Sequence, residues 1–134
     1  MRRAALAIAI ATLALLLMLC GAGTVRAWSA QGQRLVMPGA SEVRIERDGA
    51  FGLHVTYRLP RGQTLHGLTQ YLAGQGWRRI KLPNVDRTTL SFARPGWAAQ
   101  AREILVITFD DRDRRLVDLR FGRCIRVSSW VQCS

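Results

Sequence analysis

Hydrophobic positions follow two regimes along this chain. Ala4 to Val25 is an uninterrupted uncharged stretch of 22 residues, bounded by Arg2-Arg3 before it and Arg26 after it. As a helix it would be about 33 Å long at a rise of 1.5 Å per residue, matching a hydrocarbon core of roughly 30 Å. From residue 41 onward, short period-2 runs replace it. Leu53 to Leu59 is the clearest, with Leu53, Val55, Tyr57 and Leu59 on one face and His54, Thr56 and Arg58 on the other. That is the signature of a half-buried strand.

Further elements follow from the same pattern. Val43 and Ile45 alternate with charged neighbours over Glu42 to Glu46, and Asp48-Gly49 supplies a turn before the next run, so a first hairpin is expected. Pro60-Arg61-Gly62 ends it. Thr64 is placed to cap a helix whose Leu65, Leu68 and Leu72 recur at helical spacing, and Gly74 and Gly76 stop that helix after about ten residues. Trp77 to Leu82, Thr88 to Arg94, the very apolar Glu103 to Phe109, and Leu116 to Phe121 each read as strands. Trp97 to Arg102 is ambiguous and admits one helical turn. The expected fold class is α+β, an antiparallel sheet of about six strands in the order β-β-α-β-β-β-β with one main helix on one face, preceded by a transmembrane helix. Residues 1–27 form the anchor or signal, 28–40 a juxtamembrane linker with two glycines and a proline, and 41–134 the domain.

The succession Val55-Thr56-Tyr57-Arg58-Leu59-Pro60, Leu65 to Leu72, Gly76-Trp77-Arg78 and Leu90-Ser91-Phe92-Ala93-Arg94 resembles a pattern in small exported, membrane-anchored bacterial domains of unassigned function. There a "tY-x-lp" strand, a short helix and a "GW" strand lead into an "l-x-F-x-r" strand. The resemblance covers about Val43 to Phe109. It implies strand order and no activity.

Charge fixes the expected orientation of the N-terminal segment. Arg2, Arg3 and the amino terminus precede it and Arg26 alone follows, so the positive-inside rule leaves the N-terminus in the cytoplasm and sends the domain out, with Trp28 at the outer interface. The membrane is thus engaged through residues 4–25, in a single pass of the cytoplasmic membrane. The competing reading is a signal peptide cleaved after Val25-Arg26-Ala27, which leaves a secreted or periplasmic domain. A lipoprotein reading around Cys20 is weakened by Leu19, since the residue before an acylated cysteine should be small.

The formal charge of +11 comes from 20 basic and 9 acidic residues, and Lys81 is the only lysine. Such a balance suits anionic partners. Export turns that expectation away from nucleic acid and towards an envelope protein, anionic lipid or cell-wall polymer. The polar sheet face should carry Arg44, Arg58, Arg120 and Arg126, an arginine-rich docking surface.

Export also bears on the cysteines, because disulfides persist outside the cytoplasm. A two-residue turn at Ser128-Ser129 would set Cys124 opposite Cys133 at bridging spacing. A structural disulfide is therefore expected. No metal or cofactor set is apparent: His54 and His66 lack a cysteine or carboxylate at ligand spacing, and Asp110-Asp111-Arg112-Asp113 lacks the central glycine and closing glutamate of a calcium loop. No serine sits in a G-x-S-x-G elbow, and no glycine cluster forms a phosphate loop. The sequence therefore points to a non-catalytic, membrane-anchored interaction domain. The alternative is a small secreted enzyme or ligand carrier whose site is assembled only by the fold.

Overall fold

The computed structural model describes residues 2–49, 52–82, 86–96, 100–127 and 130–133; the side chains of residues 2–7, 22, 24, 25 and 125–133 lie outside that description. The chain divides into two units, Met1–Gln31 and Gly32–Ser134.

The first unit belongs to helix α1, Arg2–Leu35, which is long and apolar enough to cross a membrane. Ile8, Leu13, Leu16 and Met18 are exposed large apolar side chains on it. The segment 28–40, read from the sequence as a linker, is helical as far as Leu35. Ala27, Ala30, Gln31, Gln33 and Arg34 are good helix formers, and the first proline is Pro38. Helix propensity thus carries α1 on where hydrophobic periodicity falls silent.

In the second unit, β1 (Ser41–Asp48) and β2 (Gly52–Arg58) form the first hairpin, followed by α2 (Leu65–Gly74). Then come β3 (Arg78–Ile80), β4 (Thr89–Pro95), β5 (Ala101–Phe109), β6 (Leu116–Val127) and β7 (Trp130–Cys133). Six strands form a continuous antiparallel path in the order β1-β2-β6-β5-β4-β3. A further strand, β7, pairs with β6. β6 runs beyond the expected Phe121 because Gly122 to Val127 contains no proline or turn pair to stop it. Its two edges differ: β5 pairs along one, while β2 and β7 take successive stretches of the other. Residues 97–99 and the Ser128-Ser129 turn lie outside the described residues.

α2 begins and ends on local chemistry. The Gly67 amide donates to Thr64 Oγ1 at 3.3 Å, which satisfies one of the free amides of the first turn. At the other end Gly76 adopts φ +86°, while the Trp77 amide donates to the Leu72 carbonyl at 3.1 Å and the Gly76 amide to that of Ala73 at 3.0 Å. This is a Schellman ending, and its characteristic apolar contact is supplied by Leu72 and Trp77, both buried.

The core lies on one face of the sheet. Val55, Tyr57, Leu105, Ile107, Val117 and Leu119 are completely buried there, together with Leu68 and Leu72 of α2 and Leu35 from the end of α1. The last turn of α1 approaches β1 so closely that a Cβ on Gly32 would meet Ile45 Cγ2 at 2.7 Å. The terminal carbonyls of that turn are taken up by side chains of the domain. Arg34 O accepts from Tyr71 Oη at 3.1 Å and Gln75 Nε2 at 2.7 Å, Leu35 O from Tyr57 Oη at 3.1 Å, and Val36 O from Tyr71 Oη at 3.1 Å. These are carbonyls a helix leaves without internal partners. Burial also pushes the Tyr57 hydroxyl pKa well above its ordinary value, so the group that donates stays protonated.

Candidate functional site

The strand register decides what the opposite face presents. Residues directly across from one another share a face, which sets Glu46, His54, Arg120, Val106, Ser91 and Ile80 in one row across the sheet. The adjacent rows contain Arg44, Thr56, Asp118, Thr108 and Thr89 on one side and Gly122, Ile104, Ala93 and Arg78 on the other. Leu68 and Leu72 of α2 and Leu35 at the end of α1 belong to the opposite, core face.

It divides into two halves of different character. Over β1, β2 and the start of β6 it is charged and internally paired. His54 Nε2 lies 2.8 Å from Asp118 Oδ2, and Arg120 Nε lies 3.9 Å from Asp118 Oδ1. Arg58 is bound by Asp113 and, at 3.1 Å, by Glu42. Asp113, then Glu42, raise the guanidinium pKa, and Arg58 in turn lowers that of Asp113. From β3 across to Gly122 of β6, six adjoining positions carry no charge, Ile80, Ser91, Ala93, Ile104, Val106 and Gly122, with Arg78 beside them on β3. Ser91 and Ala93 are buried among their neighbours, and Ser91 Oγ has no hydrogen-bond partner among the described residues.

The structure describes the side chains of three of the four arginines expected on this surface. Arg44 and Arg120 are exposed and Arg58 is half-buried between two carboxylates. The Arg126 side chain lies outside the described residues. Arg44, Arg58 and Arg120 share their part of the sheet with Glu42, Glu46 and Asp118, so arginine there is balanced rather than in excess. The pairing of β1 with β2 brings in those acids, and composition alone does not show which strand lies beside which.

At the junction of the halves a groove of about 760 Å³ opens along β1, β2, β5 and β6. Val43 and Leu116, two of the large apolar side chains exposed outside α1, line it with Thr56 and Thr108; Glu42, Arg44, Asp110 and Asp118 add charge. An apolar lining with a few convergent polar groups is the general form of a binding concavity.

Among the described residues, this face does not bring Ser91 and His54 together. Ser91 and His54 occupy the same row but stand three strand spacings apart, about 14 Å at the usual interstrand distance. His66 is on α2, where its Nε2 pairs with Gln70 Nε2 at 3.1 Å. Among the described residues no group of three histidine, cysteine or acidic side chains could hold a metal.

Backbone pairing sets Cys124 opposite Cys133, the register expected from a two-residue turn. Cys124 is buried and the Cys133 side chain lies outside the described residues.

One cluster escaped the sequence reading. Arg94, Glu103 and the backbone of Arg123 fall in a row across β4, β5 and β6 on the core side. Glu103 is 8% exposed and is held by Arg94 at 2.5 Å and Arg123 at 3.5 Å. The Arg94 guanidinium lies 4.5 Å from the Trp77 ring centroid, and Trp77 meets Phe121 edge-on at 6.1 Å. Cation, ring and carboxylate close one end of the core. The signal was available in Arg94 and Glu103, which flank the Pro95-Gly96 break and face each other once β4 and β5 pair.

No family model matches the chain, and neither a curated protein nor a solved structure matches it.

Proposed function

We propose that this chain is a membrane-anchored, extracytoplasmic, non-catalytic domain that docks a protein partner on the face of its sheet opposite the core. The observation that carries the reading is the uncharged patch of Ile80, Ser91, Ala93, Ile104, Val106 and Gly122, bordered by the apolar-lined groove, in a chain where 22% of residues are charged. A solvated sheet face ordinarily alternates polar residues outward. The balance of Arg44, Arg58 and Arg120 by Glu42, Glu46 and Asp118 favours a protein over an anionic polymer at this face. The alternative of a small ligand carrier rests on the groove.

Site-specific photocrosslinking in cells, from Val106 and Thr108 on this face and from His66 on α2, tests the docking face. The expected result is one adduct shared by Val106 and Thr108, absent from His66 and lost in Val106→Glu, whose thermal midpoint is measured alongside. Adducts indifferent to the face would remove the proposal. Loading onto anionic vesicles that falls steeply with salt would instead support a lipid surface. The anchor has its own check. A purified mature protein whose mass starts at Trp28 would show that the segment is a cleaved signal.

A further inference from the structure

We propose that β1 is a pairing edge, through which two copies of this chain join antiparallel and extend the sheet. The two ends of the strand path are unequal. β3 ends it with three residues, whereas β1 ends it with eight, seven of them exposed, and no described element pairs with its outer edge. An edge of this length presents a row of backbone donors and acceptors, and natural sheets normally shorten or cover such edges.

Charged side chains at Glu42, Arg44, Glu46, Arg47 and Asp48 discourage arbitrary strands. Their order also admits one particular strand, a second copy of β1. With Ile45 on the two-fold axis, Arg44 of each copy faces Glu46 of the other, giving two opposite-charge cross-strand pairs around an Ile45–Ile45 contact. Shifting the axis to Arg44 opposes two arginines, and shifting it to Glu46 opposes two glutamates. In the Ile45 register the like-charged pair is Glu42 with Asp48. There the ladder shifts between Ser41 and Arg44, with Glu42 at φ +55°, and Arg58 holds its carboxylate at 3.1 Å. The bulge therefore falls where the register needs relief.

The regular part of the ladder, Arg44 to Asp48, makes a small interface. Stable soluble complexes bury about 1,000 Å² or more, so pairing is expected where an anchor concentrates the chains. This edge is separate from the uncharged patch, so the inference rests on the anchored reading of α1 and not on the docking reading.

The test uses full-length chains carrying C-terminal donor or acceptor fluorescent proteins in phosphatidylcholine vesicles, with energy transfer followed against protein-to-lipid ratio. Wild type should transfer above the random-proximity level. Arg44→Glu alone and Glu46→Arg alone should each need roughly tenfold more protein or above, since each turns two attractive pairs repulsive. Mixing the Arg44→Glu donor with the Glu46→Arg acceptor makes both cross-strand pairs attractive again and should restore transfer; that restoration also shows both variants folded. Wild-type transfer at the random level overturns the proposal. So do single variants that pair like wild type, or a mixture that fails to recover.

Discussion

Removing the Tyr57 hydroxyl tests whether the end of α1 is part of the domain's folded core. Tyr57 is fully buried and donates to the Leu35 carbonyl at 3.1 Å, while Leu35 itself is 2% exposed. Tyr57→Phe keeps the ring, so packing is preserved and the loss is confined to one hydrogen bond and the acceptor it leaves behind. A buried polar group stripped of its partner costs about 1–3 kcal/mol. One kcal/mol moves the midpoint of a domain this size by about 4–8 °C, so a drop of about 4–24 °C is expected in thermal unfolding followed by near-ultraviolet circular dichroism. Tyr71→Phe is the control. Tyr71 also donates to Arg34 and Val36 carbonyls at 3.1 Å, but those sites are exposed or part-buried and water can replace it, so its cost should be under half as large. Alkaline pH adds a second signature. The folded pKa of Tyr57 lies above the ordinary 10.0, so its contribution is complete below pH 10 and fades as pH rises towards the folded value. The advantage of wild type over Tyr57→Phe should therefore shrink above pH 10. Equal costs for the two tyrosines, or an unchanged midpoint in Tyr57→Phe, would refute the reasoning.

Three further outcomes follow from other contacts. Glu103→Gln removes the counter-charge that Arg94 and Arg123 share and should destabilise by about 2–3 kcal/mol, read as a shifted urea midpoint at unchanged slope; a loss under about 0.5 kcal/mol would show the arginines are adequately solvated without it. Arg58 holds the Asp113 pKa below 3.8, so the stability this pair provides is present above that pH and lost as pH falls through the folded value. Asp113→Asn should unfold less steeply below pH 4 than wild type, and parallel acid curves would contradict the assignment. The register of Cys124 and Cys133 leads us to expect a bridge worth about 2–3 kcal/mol on the loop-entropy estimate. Alkylation of the denatured, unreduced protein should then modify Cys20 alone, and modification of all three cysteines would dismiss the bridge.

Most of the strand pattern was legible because alternation, turn pairs and a capping threonine are local signals. Leu53 to Leu59, Thr64 and Gly76 each announce their structure within a few residues. What stayed hidden depended on partners distant in sequence. The last turn of α1 looks polar and aperiodic, yet it finishes in carbonyls that accept from Tyr57, Tyr71 and Gln75. In sequence Arg58 belongs to an expected arginine surface, and folding brings Asp113 to it across 55 positions. Alternation shows the arginines only strand by strand, whereas the charge of the face is set by which strands adjoin.

The position of β6 has a consequence for the order in which the sheet can be completed during vectorial emergence of the chain. Leu53 of β2 pairs with Phe121 of β6, and β5 pairs with β6 along its other edge. Until β6 arrives, β1–β2 and β3–β4–β5 are separate pieces, each with an open edge where β6 belongs. The nascent domain therefore stays unclosed through five strands, which leaves those edges in need of protection. A late-arriving central strand makes the last part of the sequence the step that commits the whole sheet.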